Sequence, residues 1–295
     1  MKIKLQLAFI IFLLSSFILS AQDESSIYIG TPELIQSGFS FTEGPAVDKD
    51  GNVYFTDQPN DKIYMWDYEN DEIKIFHNSP ERANGIYFDQ NGNIIACADL
   101  NGKLISIKPD GKYDTLIDNF EGKQLNGPND LWIAPNGGIY FTDPYYQRPY
   151  WERTEPAIEQ ERVYYYSPEG KLTIVDDDLV KPNGIIGTPD GQYLYVADIG
   201  DSKTYRYEIQ SDGTLKNRVL FAEEGSDGMT TDNFGNVYLT NDFVSVFNKE
   251  GNKIANISVP ELPSNVCFGG KDRNILFITA RTSVYKILMK TSGVN

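Results

Sequence analysis

The chain has little cysteine and less histidine: Cys97, Cys267 and His77 are all it carries in 295 residues. Two cysteines can build neither a disulfide scaffold nor a zinc site of four thiolates. Each lies in an apolar run and reads as a small buried hydrophobe, with one bridge between them left open by an oxidising compartment. A lone histidine excludes a histidine dyad and a Ser-His-Asp triad, because the second actor is missing. Positive charge is scarce as well, with 26 Lys and Arg against 42 Asp and Glu and a net charge of −16. So acidic a surface repels phosphate backbones, which excludes nucleic acid as a partner. Long amphipathic helical periods are absent, and helical repeat folds fall with them.

Only one long apolar run occurs, residues 5–19, placed after "MKIK" and before the small pair Ser20 and Ala21. That is the layout of a secretory signal peptide and is short for a bilayer span. No cysteine follows it closely, so lipoprotein processing is not expected. Residues 1–21 are therefore expected to be removed, and residues 22–295 to form an exported chain, periplasmic or secreted, with no membrane span. Losing Lys2 and Lys4 takes the net charge from −16 to −18. The apolar fraction of 40%, with 19 Tyr and 16 Phe, is enough for a full core. Nothing in the chain fixes an oligomeric state.

What the chain has in abundance is itself. The stretch "NDLWIAPNGGIYFTD" from Asn129 recurs as "EGPAVDKDGNVYFTD" from Glu43, "NGIYFDQNGNIIACAD" from Asn84 and "NGIIGTPDGQYLYVAD" from Asn183. Two further copies are "DGMTTDNFGNVYLTN" from Asp227 and "NVCFGGKDRNILFITA" from Asn265. The turn glycines Gly51, Gly92, Gly137, Gly191 and Gly235 stand 41, 45, 54 and 44 residues apart, and Arg273 takes the glycine's place in the sixth copy. Each copy joins two strand-forming runs through a hairpin signal, and a second hairpin lies behind it. Four strands per repeat, near 40 to 45 residues and six times over, predict an all-β, six-bladed β-propeller. The run "PELIQSGFSF" is expected to add a strand to the C-terminal blade, so that the termini share it and close the ring.

The leading polar residue of each copy occupies one position: Glu43, Asn84, Asn129, Asn183, Asp227 and Asn265. Equivalent positions in a propeller lie on one ring about the axis, so these side chains should converge at one mouth of the channel. Two carboxylates and four amides, with no Lys or Arg among them, would repel one another and stay poorly solvated without a cation. Oxygen ligands without His or Cys suit Ca²⁺ best, Mg²⁺ or Mn²⁺ next, and Zn²⁺ poorly. A ring grips the ion from one side and leaves the other for water and substrate.

At these residues the chain resembles the senescence-marker-protein and gluconolactonase family, the calcium-dependent lactonases that include regucalcin. The likeness runs from Phe41 to about Leu288 and rests on "EGPAVDKDGNVYFTD", "LNGPNDLWIAPNGGIYFTDP", "KPNGI", "GSDGMTTDNFGNVYLT" and "PSNVCFGG". The resemblance implies that Glu43, Asn183 and Asp227 bind the metal, with Asn129 as a fourth ligand or a contact to substrate. It also implies Asp227 as the group that moves the proton. Asn84, Asp130 and Asn265 complete the mouth as candidates to touch a small-molecule substrate, a lactone or related ester. Two departures concern specificity: Gly127 stands where sugar-lactone members often carry an arginine, and Cys97, Ala98 and Asp99 stand where many bacterial gluconolactonases have Cys-Glu-His.

The longest repeat spacing reflects an insertion, "PYYQRPYWERTEPAIEQER", whose first half crowds Tyr145, Tyr146, Arg148, Tyr150 and Trp151 and puts Tyr145, Arg148 and Trp151 forward as a wall or lid over the mouth. Asp57, Asp99, Asp143 and Asp198 end the second strand of their copies and are expected to bond turns between neighbouring blades. Lactone hydrolysis is the leading expectation. Phosphotriester or aryl-ester hydrolysis would use the same site, and a non-catalytic propeller plugged by calcium is the alternative from another class.

Overall fold

Short alternating runs separated by Asp-Gly and Asn-Gly turns do form strands, and the strands form six four-stranded antiparallel sheets arranged as a six-bladed β-propeller. The computed structural model describes residues 27–294. The expected signal segment, residues 1–21, lies outside the described residues. No α-helix occurs among the described residues, and none is long and apolar enough to cross a membrane.

In blade 1 the strands Thr42–Val47, Val53–Asp57, Lys62–Asp67 and Glu72–Asn78 follow one another outward from the channel. The innermost strands of blades 2 to 5 are Ala83–Phe88, Leu131–Ile133, Pro182–Gly187 and Met229–Thr231. Blade 6 is built from both ends of the chain: Asn265–Gly269, Ile275–Ala280 and Ser283–Met289, with Tyr28–Ser37 as its outermost strand. The closing strand starts earlier than the sequence run that announced it. The five turn glycines take φ between 69° and 101°, and Arg273 accepts φ 54° in the same role. That left-handed conformation is why glycine marks the repeat so regularly.

The recurring Phe-Thr-Asp triplet divides three tasks among three neighbours. Phe55 and Phe141 are fully buried between sheets; Phe55 lies 5.5 Å from Phe277 across the joint of blades 1 and 6. The threonine hydroxyl reaches the next blade: Thr56 donates to the Asn84 carbonyl at 2.9 Å, and Thr142 to the Asn183 carbonyl at 2.7 Å. The aspartate turns back on its own blade. Asp143 accepts the backbone N–H groups of Asn126 and Gly127 at 2.9 and 2.8 Å, and Asp198 those of Val180 and Lys181, both at 2.8 Å. Asp57 holds Ser40 and Phe41 in the same way. The expectation that these aspartates join neighbouring blades is thus corrected for Asp57, Asp143 and Asp198, which tie the entry of the first strand to the exit of the second while threonine links the blades. It holds for Asp99, whose carboxylate meets Arg148 and Tyr150 of the blade 3 insertion. Both cysteines are buried and free, without a bridge.

Candidate functional site

Backbone irregularity aims the ring. The pairing of the two inner strands shifts register between Glu43 and Ala46, between Ala83 and Ile86, and between Pro182 and Ile185. Such bulges turn a side chain off the sheet face. In blade 3 the ladder loosens instead: Asn129 and Asp130 precede the strand Leu131–Ile133 yet still bond to Thr142, by Asn129 N–H to its carbonyl at 2.9 Å and its N–H to the Asp130 carbonyl at 3.0 Å. Asn and Asp therefore begin this strand because the channel needs their side chains.

Glycine follows the ring residue in four blades, as Gly44, Gly85, Gly184 and Gly228. A Cβ on Gly44 would stand 2.2 Å from the Asn84 carbonyl oxygen, and one on Gly228 would stand 1.9 Å from Asn265 Cγ. No side chain fits there. The ring residues can converge only because their successors leave room for the next blade.

Five of the six ring residues are buried, as is Asp130, and Asp227 is partly buried. Glu43 Oε2 accepts the Gly44 N–H at 2.9 Å and faces Asn265 Nδ2 at 3.4 Å; Asn265 Nδ2 also lies 3.3 Å from Asp130 Oδ2. Asn183 Nδ2 donates to Asp227 Oδ1 at 2.8 Å. The Asn84 and Asn129 amides make no hydrogen bond to another described residue, which leaves both open to whatever enters the mouth. Burial, followed by the nearby Asp227 and Asp130 charges, holds the Glu43 carboxyl well above the usual carboxylate range. Burial likewise raises Asp227, while hydrogen bonds with Asn183 and Glu43 restrain the rise. Asp130 is pushed up to about 7, chiefly by burial.

These shifts describe acidic groups crowded away from water, with the charges of Arg281 and Arg148 offsetting Asp227 only in part. Among the described residues no three Asp, Glu, His or Cys side chains form a cluster able to hold a metal. The ring offers a different donor set, two carboxylates with amide oxygens. One atom tests the fit directly: Asn183 Oδ1 is buried and has no hydrogen-bond partner, although both N–H groups of the same amide are engaged. A buried acceptor left bare costs about 1–3 kcal/mol, and a hard cation would satisfy it. Glu43, Asn183, Asp227 and Asn129 thus fit a divalent ion with oxygen ligands.

The insertion meets this ring at one side chain. The Tyr146 hydroxyl accepts the second N–H of Asn183 at 3.0 Å. Trp151 is buried and gives its indole N–H to the Asp99 carbonyl at 3.0 Å. Arg148 Nε lies 3.3 Å from Asp99 Oδ2, and the Tyr145 hydroxyl turns to Gln147. The structure therefore brings Glu43, Asn183, Asp227, Asp130 and Asn265 together through direct contacts. It places Trp151 in the base of the insertion, with the half-buried Tyr145 ring 5.6 Å from it. Tyr146 is the member that composition alone could not single out from its aromatic neighbours.

The region described as SMP-30/gluconolactonase/LRE-like matches residues 41–282 of the chain. The gluconolactonase of Zymomonas mobilis is 30% identical over 298 residues, spanning 90% of this chain and 83% of that protein. A solved gluconolactonase from Xanthomonas campestris is similar in structure with a TM-score of 0.82 at 26% identity, over 89% of this chain and 91% of that one. Regucalcin from Agrobacterium tumefaciens, described as a calcium-binding protein, shares the fold at 17% identity with a TM-score of 0.75, over 90% and 98% of the two chains.

Proposed function

The chain belongs to the SMP-30/gluconolactonase/LRE-like family and is a hydrolase of the lactonase type; from that premise we propose that it opens gluconolactone-like cyclic esters at the polar ring, with one divalent ion, Ca²⁺ by preference. The observation that carries the proposal is the bare, buried Asn183 Oδ1 beside the Glu43 and Asp227 carboxylates. When bound, the ion supplies Lewis acidity toward the lactone carbonyl and offsets the charge of the two acids.

The chain's own groups do the rest. Glu43 is oriented by the Gly44 N–H and by Asn265, which fixes one carboxylate at the ring. Asp227 accepts a proton from the water that attacks the carbonyl carbon. The ring C–O bond breaks, its oxygen takes up a proton, and a hydroxy acid leaves. The open Asn84 and Asn129 amides are placed to bond substrate hydroxyls. Asp130 and Asn265 set the floor beneath them, and Arg148 stands beyond Tyr146, with its guanidinium carbon 5.5 Å from that ring. Export of the mature chain is part of the same reading and rests on residues 1–21.

Purified protein offered D-glucono-1,5-lactone, an aliphatic γ-lactone and a phosphotriester tests this. Sugar-lactone opening should disappear with chelator and return with added Ca²⁺. Lactone turnover indifferent to chelator, or turnover of the phosphotriester alone, would overturn the proposal.

A further inference from the structure

Asp99 breaks the rule its repeat partners obey. Asp57, Asp143 and Asp198 each hold two backbone N–H groups at the entrance of their own blade. In blade 2 that entrance turns differently, with Glu81 and Arg82 at φ 53° and 55°, and Asp61 Oδ1 takes the Arg82 N–H at 2.6 Å. The Asp99 carboxylate is left to grip the insertion through Arg148 Nε and a hydrogen bond from the Tyr150 hydroxyl. Arg82 covers the other side of Tyr150, its Cζ 4.0 Å from the ring centre. Gly127 makes the grip feasible: a Cβ there would stand 2.9 Å from Asp99 Oδ1 and 3.0 Å from Trp151 Cη2.

Clamped at that base, the insertion delivers Tyr146 to blade 4. Its ring has the Lys181 ammonium 4.6 Å and the Arg148 guanidinium 5.5 Å from its centre, and its hydroxyl reaches Asn183 Nδ2. The terminal torsion of an asparagine is soft, so its amide plane is set by hydrogen-bond partners. Tyr146 and Asp227 each take one N–H, and turning the amide over would set Oδ1 against Asp227 Oδ1. We propose that Tyr146 is a positioning residue for the metal site, fixing the Asn183 amide so that Oδ1 faces the ring centre as a preformed cation ligand. The clamp on Asp99 is what holds Tyr146 there. Partners that orient a ligand from behind are worth roughly 10–100-fold in metal affinity.

The inference rests on the metal reading above, and calorimetric titration of the full protein with Ca²⁺ separates the two. Tyr146→Phe should weaken Ca²⁺ binding about tenfold. A carboxylate has two equivalent oxygens and needs no such orientation, so in an Asn183→Asp background the same change should cost almost nothing. Asp99→Asn should weaken binding in the parent and lose that effect in the same background. Absence of Ca²⁺ binding by the unaltered protein would overturn the metal reading itself. Binding by the parent with undiminished affinity in Tyr146→Phe would overturn the positioning role alone. An equal loss in both backgrounds would do the same, since it would mark a general disturbance of the mouth.

Discussion

In the proposed reaction Asp227 has two tasks that oppose each other, holding the cation and taking the proton. A bound cation lowers the basicity of a carboxylate, whereas proton transfer from water requires basicity. Burial works against the cation by raising the group, and the Asn183 N–H bonded to Oδ1 moderates that rise. Asp227→Asn keeps an oxygen of similar shape and deletes the proton acceptor. Hydrolysis should fall by roughly 10²- to 10⁴-fold and stay low when excess Ca²⁺ restores occupancy. Asn183→Ala removes a neutral ligand and should recover most of its rate as Ca²⁺ rises. Turnover of both variants across a calcium titration decides between the roles: complete rescue of Asp227→Asn would leave that residue a ligand only. At this scale the sequence was informative about the ring, because recurrence in six copies isolates a position that any one copy would leave ambiguous. It set Tyr146 no further forward than its neighbours in the insertion, because a contact made by an insertion has no counterpart in the other repeats.

Strands and their joints obey the triplet rather than any single residue. Thr142 ties blade 3 to blade 4 through the Asn183 carbonyl, on the backbone of a ring residue. Thr142→Val keeps the shape and β-propensity but strands a buried carbonyl, at a cost of about 1–3 kcal/mol. The melting temperature should fall by about 2–4 °C for each kcal/mol in a domain of this size. Thr56→Val, which frees the Asn84 carbonyl, should behave alike. A melting point unchanged in both would show that inter-blade packing, not these bonds, holds the sheets in place. Hairpins, blade number and the left-handed glycines were legible because each follows from local chain chemistry. The partner of the terminal aspartates was not: periodicity reveals that a residue recurs, and says nothing of whether it bonds forward to the next blade or back to its own.

Closure is a property of the whole ring, and it falls at the site. Blade 6 meets blade 1 where the Ser264 hydroxyl donates to the Thr42 carbonyl at 2.7 Å and the Thr42 hydroxyl to the Ser283 carbonyl at 3.0 Å. One residue further along, Glu43 and Asn265 face each other at 3.4 Å, so the seam of the propeller passes between two members of the polar ring. The strand supplied from the N-terminal side, Tyr28–Ser37, pairs with Ser283–Met289 and is largely exposed, with Ile29 and Leu34 more than half accessible. Its contribution is therefore mostly the backbone ladder that keeps Ser283–Met289 from being a bare edge. Ca²⁺ bound only by the closed ring adds stability by mass action, about 2.7 kcal/mol at a hundredfold excess over Kd. Deleting residues 28–37 should thus lower the melting temperature and also weaken Ca²⁺ binding several-fold at a temperature well below melting. The second effect is the diagnostic one, since loss of an exposed strand by itself has no reason to reach a buried ligand set. A truncated protein that melts lower yet binds Ca²⁺ with unaltered Kd would show that the Thr42, Ser264 and Ser283 contacts hold the seam unaided, and that the shared blade serves stability without serving the site.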